Sequence, residues 1–403
     1  MKLLILLVFI GLFSSCNNHK VENIDDSGRN IKIITADDMP QTRNIESIEG
    51  KRLNENLTLQ IIPDIFFETE TSIRSGISID SGRLYFGNEK NEFYAIDINT
   101  KQMLWKYSAD TAVQTNPVIT DSKIIFNAGD SLYILNAVNG EELFKITYPS
   151  NNSFRASFNS YVFNDSYTAV KDGIAYFAAP DGSIIAVDIN SGDILWTLPS
   201  GIKSRGEVAS GINFYNNKLY YIDYFGFLCS IDIETKQFLF KTEIRDRFSS
   251  IHIDNDKIYA AGRNKKIFCI DANTGDVIWS SFSYDPTTWF SGGSVIIGNV
   301  IYSGTSDERS IVAFNKDTGD FLRFYPAEFN VFTPPVLNGE NIVLAAVNVY
   351  SKRQSSIMEF DTKNHIKLWQ VDLEDGVFSA PIIYQDVLYF GSDSGRIYSI
   401  KLN

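Results

Sequence analysis

AVDINSGDILW, residues 186 to 196, reads as the end of one β-strand, a tight turn through Asn190-Ser191-Gly192, and the start of another strand. The same phrase returns as CIDANTGDVIW at 269 to 279 and AIDINTKQMLW at 95 to 105, with weaker copies between and beyond them. Its third position falls at Asp97, Asn136, Asp188, Asp232, Asp271, Asn315, Asp361 and Lys401: eight copies over 304 residues, or about 43 per step. Repeats of that length, with four strands each, build propeller blades. The expected fold is all-β, an eight-bladed β-propeller of four-stranded antiparallel blades.

Each position of the phrase has an expected packing role. The first is often small (Ala95, Ala186, Ser230, Cys269, Ala313, Ser399), the seventh often glycine (Gly140, Gly192, Gly275, Gly319), the eleventh aromatic (Trp105, Phe144, Trp196, Phe240, Trp279, Trp369). A small side chain leaves room for a ring on the next strand, and glycine supplies a left-handed turn between them. Trp105, Trp196, Trp279 and Trp369 are therefore read as structural repeat residues, not as a cofactor box. Departures stand at Ile134 and Glu359 in the small slot, at Lys101, Lys236 and His365 in the glycine slot, and at Arg323 in the aromatic slot. Less regular packing is expected in those blades.

The first blade shows the strand plan. Residues 76–80 alternate, 84–87 are apolar, and 93–97 and 103–107 supply two more strands, with Asn, Asp, Gly and Ser at the bends. The eighth phrase stops at Asn403, before a fourth strand can form. Residues 61–70 carry the missing strand, with Phe66-Phe67-Glu68-Thr69 matching Leu104-Trp105-Lys106-Tyr107. An N-terminal strand completing the last blade would close the ring and remove an exposed sheet edge. Such a ring is expected to be monomeric.

The domain plan is a signal peptide at 1–15, a polar tether at 16–56 and the propeller at 57–403. Lys2 followed by the apolar run Leu3 to Phe13 has the plan of a secretory signal, too short to span a bilayer. Ser14-Ser15-Cys16 resembles the lipobox of bacterial lipoproteins, which implies lipidation at Cys16; an ordinary cleaved signal is the alternative. The absence of an acid directly after Cys16 favours the outer membrane by the same resemblance. The net charge of −13 argues against nucleic acid and against a basic membrane-binding surface. Cys229 and Cys269 are too few for a disulfide-built fold and read as buried thiols, with pairing across a blade junction as the alternative.

The phrase A-x-D-x-x-x-G-x-x-x-W resembles that of the PQQ-like eight-bladed propellers, and a lipidated chain of this length resembles their outer-membrane assembly group, BamB. The resemblance implies a lipid-anchored periplasmic scaffold, not an enzyme, with no cofactor, that assists β-barrel assembly in the outer membrane by gripping a BamA-like barrel protein. It implies partner-binding roles for Ile202, Arg205, Gly206 and Glu207 entering blade 4, and for Asp246 and Phe248 on the next loop. Ser204 departs from a leucine in that pattern, and Phe248 stands where an acid is usual. A lipoprotein binding carbohydrate or peptide on its loop face is the alternative, helped collectively by aromatics at Trp289, Phe290, Phe329, Phe332 and Phe378 and by an insertion at 150–166 carrying Phe154, Arg155, Phe158, Tyr161 and Phe163, although each ring taken singly reads as a plug of the channel mouth. A quinoprotein dehydrogenase is the remote one: no adjacent cysteine pair occurs, and His19, His252 and His365 suggest neither a metal cluster nor a Ser/His/Asp set.

Overall fold

A computed structural model describes residues 61–148, 168–179, 182–199, 210–223, 226–244, 250–262, 265–283, 289–351 and 353–402. They form eight four-stranded antiparallel sheets. Blade 1 runs through Ser78–Asp80, Arg83–Gly87, Glu92–Asp97 and Met103–Ser108. Blades 2 to 7 cover 118–147, 168–198, 213–243, 250–282, 290–326 and 336–373. Blade 8 takes Ile382–Tyr384, Val387–Gly391 and Arg396–Lys401, and its fourth strand is Asp64–Glu68 from the other end of the chain.

The hairpins joining first to second strands are tight because their residues accept positive φ. Asn216 and Asn217 lie at 46° and 57°, Asn255 and Asp256 at 47° and 59°. First strands pack against the first strands of neighbouring blades, which puts them at the hub. Fourth strands form the perimeter and expose apolar pairs at their starts, such as Met103 and Leu104, Ile194 and Leu195, and Val277 and Ile278.

A buried cluster lies at each of the eight blade junctions. Tyr85, Phe93 and Trp105 of blade 1 meet Phe126 and Tyr133 of blade 2; Phe66, Tyr389 and Ile397 of blade 8 meet Leu84, Phe86 and Tyr94 of blade 1. Burying rings of this size is worth roughly 1.5–3 kcal/mol each, so the ring is held by its junctions. Cys229 and Cys269 are free and buried, and they do not face each other. Cys229 belongs to the core between blades 3 and 4, Cys269 to that between blades 5 and 6.

The N-terminal strand differs in register from the expected match with blade 1. Asp64, not Phe67, stands opposite the small residue Ser399, and an irregularity falls between Ile65 and Phe67. The buried ring is that of Phe66, 5.2 Å from Tyr389, as Trp105 lies 5.9 Å from Tyr85 in blade 1. Polar contacts secure the closure. Arg74 donates two hydrogen bonds to Asp393, at 2.8 and 2.9 Å, and the Thr69 amide donates to the Gly395 carbonyl at 2.7 Å.

Candidate partner-contact face

The phrase is consumed by packing. The third-position side chain accepts the two following amides of its own turn: Asp97 those of Asn99 and Thr100 at 3.0 and 2.7 Å, Asp271 those of Asn273 and Thr274 at 2.8 and 2.9 Å. Asparagine does the same through its amide oxygen at Asn136 and Asn315. These turn bonds hold the Asp97 and Asp232 carboxyls below the usual range.

Glycine at the seventh position meets the ring of the preceding blade. A Cβ on Gly140 would lie 2.5 Å from Trp105, and one on Gly319 2.5 Å from Trp279. The same turns receive polar contacts: Tyr85 and Trp105 both donate to the Ala137 carbonyl, at 3.0 and 3.2 Å, and Trp279 donates to that of Lys316 at 3.2 Å. The phrase thus joins neighbouring blades.

The departures follow from this geometry, and packing at several of them is less regular, with rings displaced from their slots. Arg323 occupies the aromatic slot of blade 6 opposite Ala313, but Tyr325 fills the core 5.8 Å from Tyr302. With no ring over the next turn, His365 takes the glycine position at φ 61°, its Nδ1 3.0 Å from the Tyr325 hydroxyl. Lys101, at φ 58°, follows the displaced Phe66 and places its ammonium 5.6 Å from that ring. Glu359, buried in the small slot of blade 7, accepts from Trp369 at 2.6 Å, Asn341 at 2.8 Å and Asn338 at 2.9 Å. For Lys236, after the Trp196 blade, the structure offers no displaced ring.

The loops between blades and the loops joining second to third strands share one face, and that face carries the residues to which the resemblance gives partner-binding roles. Arg205, Gly206, Glu207 and Ile202 belong to the connection between blades 3 and 4, and Asp246 and Phe248 to that between blades 4 and 5. All six, with Cys16 and the insertion aromatics, lie outside the described residues. The remaining aromatics of that face do not form an open platform. Phe290, Phe332 and Phe378 are buried, and Phe329 packs against the core between blades 6 and 7. Trp289 is half-buried against Phe332 and donates its Nε1–H to Asp307 at 3.1 Å. Phe290 belongs to the core between blades 5 and 6, and Trp289, Phe332 and Phe378 pack together with Val347 and Val349.

Titratable groups give no cluster that could hold a metal ion among the described residues. Burial pushes the Cys229 thiol up to about 12 and that of Cys269 to about 11, so neither is primed as a nucleophile. Burial also lowers His252.

Fold and repeat define a PQQ-like propeller, a class shared by scaffolds and enzymes. Within it, the model of the family described as outer membrane protein assembly factor BamB matches residues 50–281 and 263–403, and the chain belongs to that family. It is 20% identical over 344 residues to the BamB of Moranella endobia, covering 81% of this chain and 83% of that one. It is 23% identical to the BamB of Yersinia pestis, over about half of each: 52% of this chain and 53% of the other. It is also 26% identical to the lupanine 17-hydroxylase of a Pseudomonas, over 57% of this chain but 28% of the enzyme. Among solved structures, the BamB of Moraxella catarrhalis superposes with a TM-score of 0.59 at 15% identity, over 83% of this chain and 87% of that one. A europium-containing methanol dehydrogenase gives 0.63 at 13%, over 81% and 84%. These structural likenesses speak for the fold.

Proposed function

We propose that this protein is a non-catalytic, lipid-anchored periplasmic scaffold of outer-membrane β-barrel assembly, held at the outer membrane through Cys16. It contacts a BamA-like barrel protein by the loops between blades 3, 4 and 5. The observation that carries this reading is the family match along nearly the whole propeller. The packing roles of the first, third, seventh and eleventh phrase positions support it, because they leave the loops as the part open to a partner. Arg205 offers a charge-assisted grip on a partner carboxylate or carbonyl, and Phe248 an aromatic anchor.

Co-purification with the BamA-like protein of the same organism tests this reading. The double substitution Arg205→Ala and Phe248→Ala is expected to reduce recovery of the barrel protein at least about tenfold, as loss of two anchors does. Undiminished recovery, with the protein folded and present at the membrane, would overturn the placement.

A further inference from the structure

Seven of the eight blades draw all four strands from one continuous stretch of chain, and blade 8 does not. Its fourth strand brings Glu68 to Arg396, 328 residues away. The seat for that strand is nonetheless the one other blades offer. The Thr69 amide donates to the Gly395 carbonyl at 2.7 Å, as Ala109 does to Asn91 at 2.7 Å in blade 1 and Ala327 to Arg309 at 2.8 Å in blade 6. Local geometry thus prepares the seat, and only the origin of its occupant differs. Closing a loop costs more conformational entropy the longer the loop, and no other pairing of the described strands spans so much of the chain.

More than the strand is fastened there. Arg74 donates to both carboxylate oxygens of Asp393, and its guanidinium lies 5.2 Å from the centre of the Phe378 ring. The Ile73 amide donates to the Ser392 carbonyl at 2.9 Å, and the Asp393 amide to that of Gly376 at 2.7 Å. Gly395, at φ 85°, leaves room for the incoming segment: a Cβ there would lie 2.6 Å from the Thr69 carbonyl oxygen and 2.7 Å from that of Thr71. Residues 69–74, 374–378 and 392–396 therefore meet in one clasp. Its bonds from Thr69, Ile73 and Arg74 form at low entropic cost only after packed blades have brought the two ends of the ring together.

We infer that residues 64–74 are a strap that seats last. The other junctions assemble while blade 8 is still three-stranded; the ring then draws the strap onto Arg396–Lys401 and locks it through Arg74. Until that step the outer edge of Arg396–Lys401 is unpaired, so the strap decides when the ring stops being open to another strand. The inference does not depend on what occupies the face of blades 3 to 5.

Pulsed hydrogen–deuterium exchange during refolding of the full chain tests the order. Amides of Lys123–Ala128 and Ser131–Asn136 in blade 2 are expected to gain protection first, and those of Asp64–Glu68 at least about tenfold later. Protection of Asp64–Glu68 together with blade 2, or before it, overturns the inference. Folding kinetics give a second reading. Phe66→Ala is expected to speed unfolding at least about a hundredfold and Arg74→Ala to speed it less, both leaving the refolding rate within about twofold, because a strap absent from the transition state affects only the reverse step. Refolding slowed in proportion to the lost stability would mean that the strap forms with the blades, and would sink the idea.

Discussion

At the scale of single residues, the seventh phrase position is set by a neighbour in another blade. Gly319 has φ 74° and would bring a Cβ to 2.5 Å from Trp279. Gly319→Ala combines a strained backbone with a clash, and is expected to cost about 2–4 kcal/mol in urea unfolding. Glu92 is the residue whose charge state bears on stability. Burial raises its carboxyl, but donation from Lys106 at 2.8 Å, Tyr94 at 2.5 Å and Asn88 at 2.9 Å outweighs that and takes it down to about 2. A carboxyl lowered by folding stabilises above the ordinary value near 4.5 and loses that contribution as the pH falls toward 2. Glu92→Gln is therefore expected to remove on the order of 2 kcal/mol at neutral pH and to flatten the decline between pH 5 and pH 2 in a stability-versus-pH series.

At the scale of elements, the strand Asp64–Glu68 does for blade 8 what a fourth strand does for each other blade, from the far end of the sequence. Its pairing with Arg396–Lys401 is supplemented by Arg396 donating to Glu68 at 2.9 Å and Ser72 donating to the Asp393 carbonyl at 2.8 Å. Phe66 is the one ring of that strand buried in the junction of blades 8 and 1. Phe66→Ala is expected to cost about 3–5 kcal/mol, the range for emptying a buried ring site. A single cooperative unfolding transition at lower denaturant would show that the closure holds the whole ring; an unchanged midpoint would show that it does not. This strand is legible in the sequence, from the match of Phe66-Phe67-Glu68-Thr69 to Leu104-Trp105-Lys106-Tyr107. Its register is not, because the irregularity at Phe66 depends on how the strand meets Tyr389 of the closed ring.

At the scale of the molecule, the ring divides its labour. Junction cores hold the blades, first strands line the hub, and the loops between blades share one face with those joining second to third strands. The cysteines show how the junctions partition the interior: Cys229 and Cys269 lie in separate cores, with the junction of blades 4 and 5 between them. In protein carrying Cys16→Ser, unfolding without reductant is expected to release two reactive thiols, and the native ring none on the same timescale. Fewer than two would show a disulfide that this arrangement excludes.

Periodicity by itself determined the eight blades, the four strands in each and the turn chemistry of the phrase, because those depend on residues close in the chain. Residue types also identified Trp105, Trp196, Trp279 and Trp369 as packing groups. Only the tertiary structure decided what each packs against, since the partner of Trp105 is the turn at Gly140 in the next blade. It also buried Phe290, Phe332 and Phe378, which sequence alone places on the loop face without deciding whether they plug the channel mouth or meet a partner, and left Tyr350 exposed. Burial is a property of the closed ring: whether a loop aromatic faces water depends on how far its own loop projects past the hub and on which neighbouring blade reaches over it.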